Sequence, residues 1–440
     1  MNGREGEEAE DAGYGESSRY AAHLDRGWAL LDRGDLAAAR TSVQHAQDVR
    51  PEDPDAAVLL GAIALAEGNA QDSLRCYERA MEMDGDYLEP YAAAAAVCLY
   101  ELDDPIRALR YVGDALELEE LAPFELVDLH MLAAECELAS DDVQSARSRI
   151  AGLAEVGVIE HALELASTAG DPAAMLEDED VERAAAAEFL ALDPEGEPLE
   201  DEERVDRVAR VVGYALRLAR LRLDTDLIDP ARAILAKVVE GFPREADAHH
   251  LLSEAEYRAG DIQRACIAGV RTLELDAEWP MPEWMPSPAV IHRRVLQMVA
   301  ACGEPRIRAL AERDPPIGVL VREQPAPELV LEGVDPRTGV LSCASRPPEG
   351  KPGAAMLTGL AVYRRNLARV CRDGDSFLDE LREALLDELA AFFGLSARAR
   401  AQLAIAAAAA AIEPPPEPEP PDPSVAPKRR RAARRVKPAS

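Results

Sequence analysis

The chain has 440 residues, a net charge of −35, 48% hydrophobic residues and only 4% aromatic ones. That leaves room for two or three domains whose cores are mostly Ala, Leu and Val, a composition suited to close-packed helices. A body this acidic repels nucleic acid and anionic membranes over most of its surface, and no uncharged apolar run is long enough to cross a bilayer.

The opening stretch, MNGREGEEAEDAGYGESS, is polar and acidic with no apolar run, so residues 1–18 are expected to be disordered and not a secretion signal. A repeat begins immediately after it. Gly27, Gly34, Ala39, Ala46 and Pro51 recur as Gly61, Gly68, Ser73, Ala80 and Gly85, each 34 residues later. A second register has Ala219, Ala231 and Pro243 followed 34 residues on by Ser253, Ala265 and Ala277. Small residues at fixed places in two successive helices let the helices cross closely. A turn with Gly or Asp separates them, as in DRGD, AEGN and RAGD. Each pair leaves an apolar side for the next pair to cover.

This pattern resembles the tetratricopeptide repeat, with two regular copies at 20–85 and two at 212–279. Less regular copies are predicted at 88–120, around Ala108 and Ala115, and at 123–155, around Ala134 and Ala146. The repeat blocks are therefore drawn at 19–156 and 206–280. Between them, 157–205 reads as an acidic, irregular helical connector, with LDPEGEPLEDEE as a solvated loop. From the resemblance, Leu24, Trp28, Leu31, Val58, Ala62 and Leu65 would line the binding groove. They are apolar, without the Lys/Asn set that clamps a carboxy terminus, so an apolar segment of a partner protein is the expected guest. The alternative is a groove filled by the chain's own segment.

EWPMPEWMPSP, 278–288, stops the array because Pro and residues before Pro avoid helix. Residues 281–314 are predicted to be a linker and then one helix at about 289–313, with Trp279 and Trp284 packing the linker on the last repeat. From 315 to 412 a small α+β domain is expected. Its strands are IGVLVRE, GVLSCAS and MLTGLAVYRR, and its long helix is FLDELREALLDELAAFFGL, 377–395. The run AQLAIAAAAAAI, 401–412, is too short to be a membrane span. Residues 413–440 are expected to be disordered, first proline-rich and then basic. Seven cations lie between Lys428 and Lys437: Lys428, Arg429, Arg430, Arg431, Arg434, Arg435 and Lys437. Such a tail would bind nucleic acid or anionic lipid, or fold back on the acidic body; the last, or no binding at all, is preferred.

The fold class is thus mostly α, a helical solenoid followed by a small α+β domain. PIGVLVREQPAPELVLEGVDP, VYRRNLARV and LREALLDELAAFFGL make that domain resemble small bacterial zincin-like metallopeptidases, over about 315–400. The helix of that family reads His-Glu-x-x-His-x-x-Gly-x-x-Asp. Histidines at i and i+4 share one helix face, offer lone pairs to zinc, and the Glu polarises the metal-bound water. Laid on this sequence, Glu388 and Gly394 match, while Asp387 and Ala391 stand at the two histidines and Ala397 at the carboxylate ligand. Alanine has no donor atom. All seven histidines precede residue 293, leaving His249, His250 or His292 as remote substitutes. The AAFF run, 390–393, is expected to repack the vacated site as apolar core. Glu380, Glu383 and Asp387 share a face with geometry for Mg²⁺ or Ca²⁺. The plainer reading is a solvated acidic face, with Asp379 and Glu388, balanced by Arg382, Arg398 and Arg400.

The expectation is a protein-interaction scaffold carrying a pseudo-metallopeptidase domain, with no catalytic residue, metal or cofactor. Two alternatives stand beside it: an active metallopeptidase with unusual ligands and Glu388 as general base, and a regulator that holds peptides in the vestigial groove. Seven scattered cysteines without a CxxC pair point to reduced thiols in a cytoplasmic protein. Scarce Lys against Arg, with abundant Ala, points to a high-GC bacterial genome.

Overall fold

In the computed structural model, which describes residues 4–119, 121–153, 156–167, 176, 180–192, 196, 198–345, 356–396 and 399–400, the chain forms two units. The first comprises the described residues up to Trp279 together with Ala326–Pro336. The second comprises Pro280–Pro325 and the described residues from Arg337 onward. No helix of the described residues is long and apolar enough to cross a membrane.

The first unit is built of successive helix pairs. They are α1 (Arg4–Asp32) with α2 (Leu36–Val49), α3 (Pro54–Ala66) with α4 (Ala70–Met83), and α5 (Leu88–Ala96) with α6 (Pro105–Ala115). A π-helical stretch, Val97–Glu101, prolongs α5. Then come α7 (Pro123–Ala139) with α8 (Val143–Ala151), α9 (Val156–Ser167) with α10 (Val181–Ala191), α11 (Asp201–Asp224) with α12 (Ile228–Gly241), and α13 (Ala246–Arg258) with α14 (Ile262–Glu278).

The turns inside these pairs share one chemistry. Gly34, Gly68 and Gly260 take φ of +75°, +79° and +86°. At the corresponding turns Asp103, Asp141 and Asp226 take φ of 50°, 61° and 60°. Aspartate is among the few side chains that visit this left-handed region. In five of these turns an Asp or Asn follows at once as N-cap of the next helix. Asp35, Asp104, Asp142 and Asp261 accept the amides of Ala38, Arg107, Ser145 and Arg264.

Small residues set the helix spacing. A Cβ on Gly27 would lie 2.6 Å from Leu59 Cδ2, and one on Gly61 would lie 2.5–2.9 Å from three ring atoms of Tyr77. The Tyr77 ring is itself buried. Gly61→Val should therefore cost about 1–3 kcal/mol by overpacking, read by urea denaturation. Gly213→Ala, at a helical site with nothing within 4 Å, should instead gain roughly 0.5–1 kcal/mol.

Two expectations change here. The region 157–205 does not divide two blocks. Val158, Ile159, Ala162 and Leu163 of α9 and Ala186 and Leu190 of α10 are buried in one core with α7, α11 and α12. An acidic exposed face hid that apolar stripe in the sequence. The other concerns the helix expected at about 289–313, which is broken in two. Pro288–Ala301 (α15) and Pro305–Glu312 (α16) are two helices, parted where Pro305 starts a new one. Ile291, Val295, Val299, Ile307 and Leu310 are buried in the second unit's core.

That core closes on a three-stranded sheet of β1 (Gly318–Arg322), β2 (Val340–Ser345) and β3 (Met356–Tyr363), in the order β1-β3-β2. β1 runs parallel to the central β3, pairing Gly318 with Gly359 and Arg322 with Tyr363; β2 is antiparallel to β3. A short helix, α17 (Pro327–Leu331), lies between β1 and β2 in sequence but belongs to the first unit. After β3 come α18 (Arg364–Ala368) and the long α19 (Gly374–Phe393). The Asp373 carboxylate accepts the amides of Asp375 and Ser376 to start α19, and Gly394 in the left-handed conformation ends it. Trp284 lies against Phe377 in this core, ring centroids 6.3 Å apart, while Trp279, in the first unit, is exposed.

Candidate functional site

The helix α19 carries the positions that the sequence singles out. Leu381, Leu385, Leu386, Leu389 and Ala390 face the core, so Asp387 and Ala391 fall toward its other side, with Glu388 half-buried at the border. Asp387 is exposed and ion-paired with Arg400. Ala391 is exposed, on the same side one turn on. It therefore does not join the core as the AAFF reading expected, although Phe392 and Phe393 do pack against it. The reason is helical phase: position 391 follows 387, the exposed side, whereas 390 follows 386. Ala397 and Arg398 lie outside the described residues.

Glu388 has a definite partner. Its Oε1 accepts the backbone amide of Ser342 at 2.8 Å, on β2 at the edge of the sheet. A carboxylate bound to an edge amide satisfies a donor that pairing within the sheet leaves over. Gly394 keeps the turn that ends the helix, which its left-handed φ of 61° requires.

On the acidic face two carboxylates have arginine partners, while Glu388 turns to the Ser342 amide instead. Arg382 pairs with Asp379 at 2.8 Å and Arg400 with Asp387. Burial, then the charges of Glu383 and Asp387, push the Glu380 carboxyl up from its ordinary value. Among the described residues, three His, Cys, Asp or Glu ligand atoms come within 4.8 Å of one another only at His161, Asp180 and Glu182 in the first unit. Their spacing in sequence gave no signal of this. Asp180 is the N-cap of α10, accepting the amides of Glu182 and Arg183, and a helix N-terminus carries positive potential that opposes a cation.

Two of the three remote histidines have partners within the first unit. His249 is buried rather than part of a surface pair, its Nε2 3.1 Å from the Pro243 carbonyl, and burial pushes its pKa down. His250 Nε2 lies 3.0 Å from Asp335 Oδ1. His292 is exposed. All seven cysteines are free thiols, and burial pushes Cys136 up to about 12.

Of the six groove residues, Leu24 and Val58 are buried in the repeat cores and offer no surface. Each belongs to the stripe by which one pair covers the next. Leu31, Ala62 and Leu65 are half-buried, and Trp28 is the one that stands exposed. The basic residues Lys428, Arg429, Arg430, Arg431, Arg434, Arg435 and Lys437 lie outside the described residues.

The sequence did not reveal a further surface of the first unit. The segment Ala326–Pro336 packs on α13 and α14 beside a cavity of about 200 Å³, bordered by His250, Tyr257, Ile262, Cys266, Val330 and Val334. Nothing in the spacing of this segment marks it as part of a repeat.

Residues 317–404 match the family of zincin-like metallopeptidases. No curated protein matches the chain. Solved structures similar to it include PilF of Pseudomonas aeruginosa, at 15% identity over 60% of this chain and 95% of that one, with a TM-score of 0.40. A thermophilic TPR protein of Thermus thermophilus is 18% identical over 54% of this chain and 99% of its own, with a TM-score of 0.34. YrrB, a TPR protein with an unusual peptide-binding site, is 12% identical over 54% and 93%, with a TM-score of 0.33.

Proposed function

We propose that this protein is a cytoplasmic interaction scaffold, a helical-repeat array that binds a protein partner and carries a zincin-like domain without peptidase activity. The observation behind the inactive reading is the state of the donor set on α19. Asp387 is neutralised by Arg400, Ala391 has no lone pair to offer, and Glu388 is held on the Ser342 amide. Zinc catalysis takes three protein ligands and an open position for water. This helix has one monodentate candidate, so the residues present do not fit the metal. The repeat array supports the scaffold reading, because stacked helix pairs form extended surfaces and carry no reaction chemistry of their own.

The alternative, an active peptidase with Glu388 as general base, draws on the family match of 317–404. The two readings differ over Glu388. If it is structural, Glu388→Ala removes the partner of a half-buried amide and should cost about 1 kcal/mol of the second unit's stability, with Glu388→Gln costing less. Metal content of the zinc-loaded full chain should stay well below one ion per molecule, with no cleavage of an unstructured protein substrate. Stoichiometric zinc together with cleavage abolished by Glu388→Gln at unchanged stability would overturn the reading.

A further inference from the structure

The end of the repeat array is notched. At intervals of 34 residues the repeats fill one interior position with Val43, Tyr77 and Tyr111, all buried, and the later register does so with Leu235. The next residue in that register, 34 after Leu235, is Gly269. With Ser253 and Ala265 it forms a seat without bulk. The Ser253 hydroxyl is already spent, donating to the Ala265 carbonyl at 2.8 Å, so the seat presents mostly apolar surface.

Two residues of 326–336 occupy it. Val330 is 3% exposed, and a Cβ on Gly269 would lie 2.8 Å from its Cγ1 and 3.8 Å from Pro336 Cδ. Pro336 is also buried. Around these two anchors Cys266 Sγ approaches the carbonyl oxygens of Val330 and Leu331 at 3.7 and 3.6 Å, and His250 meets Asp335. The segment has the form of a compact peptide ligand. Glu332 N donates to Glu328 O and Val334 N to Leu329 O, and Gly333 turns the chain at φ +95°. Its hold is slight: Leu331 is 57% exposed, the His250–Asp335 pair is at the surface, and the neighbouring cavity of about 200 Å³ leaves room for a bulkier side chain.

We propose that the α13–α14 face is a peptide-binding site whose resident ligand is the chain's own segment 326–336, exchangeable for the same sequence supplied in trans. A helix-in-groove ligand is read by a few apolar anchors at fixed spacing, here Val330 and Pro336. While the internal copy is seated, any added peptide binds only the open fraction of molecules, which weakens its apparent affinity in proportion. The proposal does not depend on whether the zincin-like domain is active.

The test uses the full chain, the double variant Val330→Ser/Pro336→Ser, and a fluorescent peptide of residues 324–337. Hydrogen exchange should show amides 329–334 protected in the unaltered chain and released in the double variant, with α11 and α12 unchanged. Anisotropy should show the variant binding the peptide about tenfold or more tightly than the unaltered chain, and Gly269→Leu added to it should abolish binding. Gly269→Leu alone fills the notch and should release 329–334 without touching the segment. Protection persisting at 329–334 in either variant, or a released segment with no gain in peptide binding, overturns the proposal. Peptide binding that survives Gly269→Leu overturns it too, by placing the site elsewhere.

Discussion

Phe377→Ala should lower the stability of the second unit by about 3–5 kcal/mol, the largest effect expected of any single substitution in it. The ring lies in the first turn of α19 and is fully buried. It packs with Trp284 from the proline-rich stretch and shares a core with α15, α16 and the central strand. Alanine would leave a cavity that these neighbours, anchored on separate elements, cannot close together. Hydrogen exchange of the β3 amides should accelerate accordingly, and Trp284 fluorescence should report the loosened packing. The same measurement bears on the metal. A domain that needs zinc loses its folding energy with the ion, whereas a domain held by Phe377 and its neighbours should melt at the same temperature with and without a chelator.

Arg217→Met should destabilise the first unit by about 2–4 kcal/mol, below the range for a fully buried pair because the side chain keeps some solvent access. Arg217, on α11, pairs with Asp128 and with Glu135 at 2.6 Å, both on α7 and both more than 80 residues away in sequence. Glu135 also accepts the Tyr100 hydroxyl at 2.5 Å. Burial opposes the charge on Arg217. The Glu135 hydrogen bond and the charges of Glu135 and Asp128 outweigh it, so the guanidinium is held well above its ordinary value. Methionine keeps the length of the side chain but leaves two carboxylates facing each other without a cation. Adding Asp128→Asn and Glu135→Gln should recover much of the loss in urea denaturation, because uncompensated charge, and not lost packing, carries most of the cost. No recovery would place the effect in packing instead.

The parts legible before folding were those with a local physical cause. The 34-residue spacing of small residues named the helix pairs, because a close helix crossing tolerates little else at those places, as Gly27 and Gly61 show against Leu59 and Tyr77. Alternation and β-branching located β1, β2 and β3, and the run of apolar residues located α19. The absence of histidine at 387 and 391, and of any donor at Ala391, was equally legible, since a side chain's lone pairs do not depend on fold. What alternation and spacing could not reveal was which surfaces meet. The turns at Asp103, Asp141 and Asp226 look unlike the glycine turns until their φ values are known. The apolar sides of α9, α10, α15 and α16 gain meaning only from the cores they complete. Glu388 finds Ser342 46 residues away, and Val330 finds Gly269 across 61 residues. Side-chain chemistry and helical periodicity belong to the chain itself; partnership between distant residues comes from burying the whole molecule's apolar surface at once, and so only the tertiary structure decided it.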